Sequence, residues 1–189
     1  MSSEDYFLTL EELTSNSTYN MNNSMAASIS GNLVGLRKES VKQCLSEFQN
    51  VEHRLEFVAN IHSVEFINDS KAININSAWY ALENANKPVI WIAGGIDKGN
   101  DYSRILDLVK AKVKAIVCLG LNNDRIIKYF SDVISDIYET SSMEEAVATA
   151  NSIAKKGDQV LLAPACASFD LFENYKDRGR KFKEVVNNL

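Results

Sequence analysis

Hydrophobic residues from about residue 52 onward fall in short runs that alternate with helical patterns. Each run is about one strand long, and the segments between the runs repeat apolar residues at helical spacing. We predict strands over residues 55–61, 64–68, 89–93, 115–119, 133–138 and 159–163, and helices over residues 74–84, 102–110, 124–130, 143–154 and 169–187. Continuous apolar strands separated by helices predict a Rossmann-like α/β fold, with a mostly parallel sheet covered by helices on both faces.

The preceding part of the chain has a different pattern. Residues 1–19 are polar and irregular, while apolar residues from Met25 to Leu36 recur at helical spacing and end near Gly35. A second short amphipathic segment follows Glu39. Two such helices cannot bury their apolar faces against each other alone. We therefore predict a helical pair within residues 1–51 and a separate sheet domain over residues 52–189.

The composition is that of a globular protein with an acidic excess. Of the 189 residues, 46% are hydrophobic, and the formal net charge is −5, which argues against a nucleic-acid partner because such proteins need a basic surface. The longest apolar runs are far shorter than the ~20 residues that span a bilayer, and the first residues lack the pattern of a secretory signal. Three scattered cysteines and two histidines favour reduced cytoplasmic thiols and argue against a zinc site.

Small and polar residues follow four of the predicted strands. They form the segments Asn68–Ala72, Gly94–Gly99, Gly120–Asn123 and Pro164–Phe169. The carboxyl ends of parallel strands meet at one edge of a sheet, which is where ligands bind in such folds. Lys71 and Lys98 lie in two of these segments, which we expect to be neighbours. Together they would form a cationic spot that suits a carboxylate or a phosphate.

Each of these features also has an ordinary structural explanation. Gly94 and Gly95 are equally consistent with a turn that ends a strand, since they lack the spacing of a dinucleotide-binding motif. Asp69 and Ser168 have side chains that commonly cap helices. The two lysines are also consistent with solvated surface positions, and the Asp124–Arg125 pair is typical of a solvated helix face. The residues alone leave these alternatives open.

Five motifs occur in an order and spacing that a known family shares. They are His53-Arg54-Leu55-Glu56, Asn68-Asp69-Ser70-Lys71-Ala72-x-Asn74, Gly94-Gly95-x-Asp97-Lys98-Gly99, Ala163-Pro164-Ala165-Cys166-Ala167-Ser168-Phe169-Asp170 and Asn174-Tyr175-x-x-Arg178-Gly179-x-x-Phe182. In this order they resemble the C-terminal part of the Mur ligase family of peptidoglycan synthesis, and the Asp-Ser-Lys-Ala segment resembles the members that add D-glutamate. The resemblance implies that residues 1–51 end a central ATP-binding domain and that residues 52–189 form the C-terminal domain.

The resemblance also implies an activity and a set of site residues. ATP, assisted by Mg²⁺, would phosphorylate the carboxylate of UDP-N-acetylmuramoyl-L-alanine to an acyl phosphate, which the amine of D-glutamate attacks. The matching positions are Asn23, Arg54 and Asp69 for ATP, Lys71 for the reacting groups, and Lys98, Ser168, Phe169, Tyr175 and Ile73 for D-glutamate. No metal ligand is assigned to this chain. The family further implies a monomeric cytoplasmic enzyme without a membrane partner.

Three positions depart from the family pattern. Ile73 stands where threonine is usual, so we expect a buried isoleucine that removes one hydroxyl from the D-glutamate site. Tyr175 replaces another aromatic residue, and Ser17-Thr18-Tyr19 replaces a Gly-Lys-His stretch. The sequence contains no P-loop, so we expect the 189-residue chain alone to be inactive. The alternative is a free-standing, non-catalytic module that binds small anions or a partner.

Overall fold

The computed structural model describes residues 51–189 without a gap, together with residues 26, 29–31, 33–37 and 39–40. The chain divides into two compact units, Met1–Val51 and Glu52–Leu189. In the first unit the described residues up to Leu33 are helical, and Gly35 follows them in the left-handed conformation with φ +74°, as is common after a helix end. Most of the second predicted helix lies outside the described residues. The relation of residues 1–51 to an ATP-binding domain stays a prediction.

The second unit contains one six-stranded sheet. Its strands are β1 (Glu56–Ile61), β2 (Val64–Asn68), β3 (Val89–Gly94), β4 (Val113–Leu119), β5 (Asp136–Thr140) and β6 (Gln159–Ala165). The strand order is β1-β2-β6-β3-β4-β5. β1 pairs antiparallel with β2, and the other strand pairs are parallel. The predicted class, a mostly parallel α/β sheet, is confirmed.

Helices cover both faces of this sheet. They are α1 (Ile75–Glu83), a 3₁₀ helix (Tyr102–Ile105), α2 (Leu106–Lys112), α3 (Asp124–Phe130), α4 (Met143–Ile153) and α5 (Tyr175–Asn187). One core lies between the sheet and α1, the 3₁₀ helix, α2 and α3, and the other between the sheet and α4 and α5. Successive side chains of a strand point to opposite faces, so Trp91 of β3 joins the first core while Ile90 and Ile92 join the second.

Two predicted elements begin three or more residues away from their observed starts. The last helix begins at Tyr175 rather than 169, because the side chain of Asn174 accepts hydrogen bonds from two amides of its first turn. Residues 169–174 instead form a loop, which turns back where the amide of Phe172 donates to the carbonyl of Ser168 at 2.9 Å. β5 begins at Asp136 rather than 133, since the amide of Val133 still bonds to the last turn of α3.

Neither Asp69 nor Ser168 caps a helix, although both side chains suit that role. Asn74, not Asp69, caps α1, with its side chain 3.0 Å from the amide of Ser77. Ser168 lies before the loop that precedes α5 and does not cap that helix. Asp69 and Ser168 both lie at the edge of the sheet. Helix capping therefore does not explain why these two positions are polar. Within the part of the chain described here, no helix is long and apolar enough to cross a membrane.

Candidate functional site

Loops that follow β2, β6, β3 and β4 lie side by side at the carboxyl edge of the sheet. The strand order places β6 between β2 and β3, so the expectation that the Lys71 and Lys98 loops are neighbours is wrong. Each of them contacts the β6 segment instead. The amide of Ala165 donates to the carbonyl of Ala72 at 2.8 Å, and the loop after β3 meets the loop after β6 through a separate bridge.

A backbone bridge joins the loops that carry Lys98 and Ser168. The amide of Ile96 donates to the carbonyl of Ala167 at 2.8 Å, and the amide of Ala167 donates back to the carbonyl of Ile96 at 3.2 Å. Gly95 makes this approach possible, because a Cβ at this position would lie 2.2 Å from the Ala167 oxygen and its φ is +117°. Gly95 therefore does more than end a strand: it allows two loops of the candidate site to touch.

Asp97 fixes the shape of the loop that presents Lys98. Its Oδ1 accepts from the amide of Asn100 at 2.8 Å and from Nη1 of Arg125 at 2.7 Å, and its Oδ2 accepts from the hydroxyl of Tyr102 at 2.8 Å. Arg125 also donates to the carbonyl of Asn100 at 3.0 Å. Its side chain is exposed on the helix face, as predicted, and in addition stabilises this loop. Lys98 itself is exposed and has no ion-pair partner within residues 51–189.

Asp69 is a buried acid that lies beside a strained turn. Its side chain is 8% exposed, and burial raises its pKa to about 6. The amide of Leu55 donates to its Oδ1 at 3.3 Å, and the charge of exposed Arg54 opposes the rise in pKa. His53 and Leu55 have φ of 66° and 42°, which non-glycine residues adopt at a cost. The structure thus brings Arg54 and Asp69 together, and their contact with ATP stays a prediction.

His53 supports this turn as a neutral, buried residue. The side-chain amide of Asn68 donates to its Nδ1 at 3.0 Å, so Nε2 carries the ring proton. Burial lowers the pKa of His53, which keeps the imidazole neutral at pH 7. Gly179 of α5 packs against the ring so closely that a Cβ there would lie 2.2 Å from Nδ1. The histidine therefore ties β2 and α5 to the turn that presents Arg54.

The remaining predicted site residues differ in exposure. The ammonium group of Lys71 lies 5.6 Å from the ring centroid of Tyr175, a cation–π distance. Ser168 is 2% exposed, whereas Phe169 is 64% exposed. Ile73 is 45% exposed, so the expectation that it is buried is wrong. Ile73 lies in the loop before α1, at the edge of the sheet, where its side chain is open to the solvent. Asn23 lies outside the described residues.

Arg178 is the residue that sequence reasoning missed, although it stands in one of the motifs. It is 1% exposed and donates from Nε to Oγ of Ser70 at 3.0 Å, from Nη1 to the carbonyl of Cys166 at 3.2 Å and from Nη2 to the carbonyl of Ser70 at 2.9 Å. A helical period carried the necessary signal, since Arg178, Phe182 and Val186 recur every four residues and are all buried.

Residues that could hold a metal ion are not grouped in this part of the molecule. Within the described ranges, no cluster of three or more His, Cys, Asp or Glu side chains has the arrangement of a metal site. The candidate site instead offers the ammonium groups of Lys71 and Lys98 and the hydroxyl of Ser168, while the buried guanidinium of Arg178 bonds to two of its loops. Cationic and hydroxyl groups of this kind suit a ligand that carries carboxylates or phosphates.

Curated relatives are similar over most of this chain. A UDP-N-acetylmuramoylalanine–D-glutamate ligase from Christiangramia forsetii is 52% identical over 178 residues, which are 94% of this chain and 40% of that protein. Ligases of the same name from Bacteroides fragilis and Porphyromonas gingivalis are each 49% identical, over 95% of this chain and 40% of their own lengths. The chain therefore spans about two fifths of the length of the curated relatives it matches.

Solved structures share the fold at low sequence identity. A UDP-N-acetylmuramate-alanine ligase from Thermotoga maritima matches with a TM-score of 0.61 and 16% identity, over 90% of this chain and 38% of that chain. A bifunctional folylpolyglutamate synthase/dihydrofolate synthase from Yersinia pestis, complexed with AMPPNP and Mn ion, matches with a TM-score of 0.59 and 18% identity, over 92% and 40%. The family model for the Mur ligase, glutamate ligase domain, matches residues 53–166, which are more than half of the chain, and the chain therefore belongs to the Mur ligase family.

Proposed function

We propose that this chain is the C-terminal part of an ATP-dependent ligase that joins D-glutamate to UDP-N-acetylmuramoyl-L-alanine. The main observation in favour of this proposal is the bridge between Ile96 and Ala167, because it joins the loop of exposed Lys98 to the loop of Ser168. A dicarboxylate amino acid needs a cation and hydrogen-bond donors held in fixed positions. The relatives at about 50% identity are D-glutamate ligases, which favours D-glutamate as that acid.

The site divides into an acid side and a nucleotide side. Lys98, Ser168 and the backbone of Phe169 hold the carboxylates of D-glutamate, with Tyr175 and Ile73 at the border of the pocket. Arg54 and Asp69 contact ATP on the other side. This division is supported by the separate anchoring of the two groups, since Asp69 bonds to the turn that contains Arg54 while the Lys98 and Ser168 loops bond to each other.

The reaction requires the amine of D-glutamate to meet an activated carboxyl group. ATP transfers its terminal phosphoryl group to the carboxylate of UDP-N-acetylmuramoyl-L-alanine, which gives an acyl phosphate and ADP. The amine then attacks the acyl carbon, phosphate leaves, and an amide bond forms. Lys71, held over the ring of Tyr175, supports the negative charge that develops on the reacting groups. The main contribution of this chain is to position the amine.

ATP and a divalent cation are the expected cofactors. The similar synthase from Yersinia pestis is complexed with AMPPNP and Mn ion, which supports a nucleotide and a divalent cation; the family resemblance implies Mg²⁺ as that cation. Mg²⁺ neutralises charge on the phosphates when it is bound. We place its ligands outside residues 52–189. The complete enzyme is proposed to be cytoplasmic and monomeric, without nucleic-acid or membrane partners, and the 189-residue chain alone to be inactive.

A chimeric ligase tests the proposal. In it this chain replaces the matching part of the Christiangramia forsetii ligase, and amide formation from D-glutamate is measured. Lys98→Ala should raise the KM for D-glutamate by roughly 10- to 150-fold, since a charge-assisted hydrogen bond is worth about 1.5 to 3 kcal/mol. The KM for ATP should not change. Lys110→Ala, an exposed lysine of α2, serves as the matched control.

Two results would contradict the proposal at different levels. A chimera that releases no ADP in response to D-glutamate would reject the proposed activity and favour a non-catalytic anion-binding module. An active chimera in which Lys98→Ala leaves the KM for D-glutamate unchanged would keep the activity but remove Lys98 from the acid site.

A further inference from the structure

Arg178 is a buried cation that connects three segments of the candidate site. Its guanidinium group donates to the hydroxyl and the carbonyl of Ser70, in the loop after β2, and to the carbonyl of Cys166, after β6. The hydroxyl of Ser70 in turn donates to the carbonyl of Tyr175, the first residue of α5, at 2.7 Å. A single side chain therefore sets the spacing between the two loops and the start of the helix.

The hydrogen-bond partners of Arg178 are all neutral. Several other cations of this unit pair with carboxylates, such as Lys114 with Asp158 at 2.5 Å and Lys87 with Glu65 at 2.7 Å. Arg178 has no such ion pair with any residue of the described ranges, and Asp170 acts on it only at longer range. Burial lowers the pKa of Arg178 to about 10, so it stays charged at neutral pH. A buried charge without a counter-ion is costly to the fold.

The hydrogen-bond partners of Arg178 lie close in sequence to residues of the proposed site. Ser70 precedes Lys71, Cys166 lies two positions before Ser168, and the ring of Tyr175 lies under the ammonium group of Lys71. The unneutralised charge is thus bonded to the same two loops that carry Lys71 and Ser168. In the interior, a unit charge acts on another at separations of about 8 Å, well beyond hydrogen-bond distance.

We propose that Arg178 is a positioning residue of the acid-binding site, which holds the loops after β2 and β6 in register and whose unneutralised charge favours a dicarboxylate over its monoamide. This inference rests on the proposed function, because it takes an acidic amino acid as the ligand. Arg178 does not have to touch that ligand. It fixes Lys71 and Ser168 through the backbone and adds to the positive potential at the edge of the sheet.

The test compares two ligands that differ by one charge. D-glutamate and D-glutamine are titrated into the 189-residue chain, and binding is followed by NMR chemical shifts. The wild-type chain should prefer D-glutamate. Arg178→Gln should reduce that preference about tenfold, the effect of one charge at this separation after screening, whereas Arg178→Lys, which keeps the charge, should retain most of it. Arg180→Gln, a change at an exposed position of the same helix, should leave the preference unchanged.

Thermal unfolding separates stability from selectivity. Arg178→Gln and Arg178→Lys both lose the forked hydrogen bonds, so both should lower the melting temperature. Only the glutamine variant should also lose the preference for D-glutamate. Equal losses of affinity for D-glutamate and D-glutamine in the two variants would make Arg178 a purely structural residue and overturn the proposal.

A second variant tests the positioning role without removing the charge. Ser70→Ala deletes the hydroxyl between Arg178 and Tyr175, and it should weaken the binding of both ligands by the same factor while the preference stays intact. Unaltered binding by Ser70→Ala would overturn the proposal even if the Arg178 variants do not fold. A wild-type chain that binds neither ligand would instead reject the proposed function itself.

Discussion

Asp69→Asn should make the chain more stable at neutral pH. Asp69 is buried, and the loss of solvating water raises its pKa from the ordinary 3.8 to about 6. One backbone hydrogen bond from Leu55, at 3.3 Å, and the charge of Arg54 offset only part of this cost. Asparagine keeps an oxygen that accepts from Leu55 and carries no charge, so it fits the same position without the desolvation penalty.

The size and sign of the effect follow from the two pKa values. The carboxyl group of Asp69 titrates near 3.8 in the unfolded chain and near 6 in the folded chain. Between these values the folded chain holds more protons, so the free energy of unfolding falls as the pH rises. Each pH unit of the interval is worth about 1.36 kcal/mol, which gives a loss on the order of 3 kcal/mol above pH 6. The asparagine variant escapes this loss.

Urea denaturation, followed by circular dichroism between pH 3.5 and 7, measures the difference. The variant should match the wild type near pH 3.5 and exceed it by up to about 3 kcal/mol at pH 7. Asp132→Asn is the control, because Asp132 is exposed and its removal should not change the pH dependence. A difference between Asp69→Asn and wild type that is the same at both ends of the range would refute the argument. If the Asp69→Asn variant is more stable at pH 7, the protein keeps Asp69 for its function at a cost in stability.

Gly179→Ala should destabilise the chain by about 1 to 3 kcal/mol, because the new Cβ would lie 2.2 Å from Nδ1 of His53; an unchanged melting temperature would contradict this contact. Lys112→Met should cost about 1 to 3 kcal/mol in urea denaturation, since its ammonium group donates to three carbonyl oxygens at the end of α1, whereas Lys110→Met should cost almost nothing. In the chimeric ligase, Ile73→Thr should lower the KM for D-glutamate several-fold without loss of stability, because Ile73 is exposed. An equal KM would show that position 73 does not contact the acid.

Local sequence patterns predicted the elements of the sheet domain well. β2 and α3 have the predicted bounds, because continuous apolar runs and helical periods directly reflect burial. The order of the strands is not a local property. Nothing in the residues around Lys71 or Lys98 indicates that β6 lies between their strands, so their loops were wrongly expected to be neighbours.

The polar residues of the site were harder to predict, because their roles depend on distant partners. Arg125 has the sequence context of a surface residue, yet it bonds to Asp97, 28 positions earlier. Arg178 bonds to Ser70, 108 positions earlier. The motifs identified Asp69 as a candidate site residue, but its raised pKa comes from burial, which only the folded chain creates.

The bridge between Ile96 and Ala167 makes two loops move as one body. Each amide donates to the carbonyl of the other residue, so neither loop can open without breaking the contact with the other. Amide hydrogens in loops usually exchange rapidly with water, whereas these two have the partners of amides in a strand and exchange only when the pair opens. A ligand that is held by either loop therefore slows the exchange in both, and these two hydrogens report occupancy of the site without any turnover.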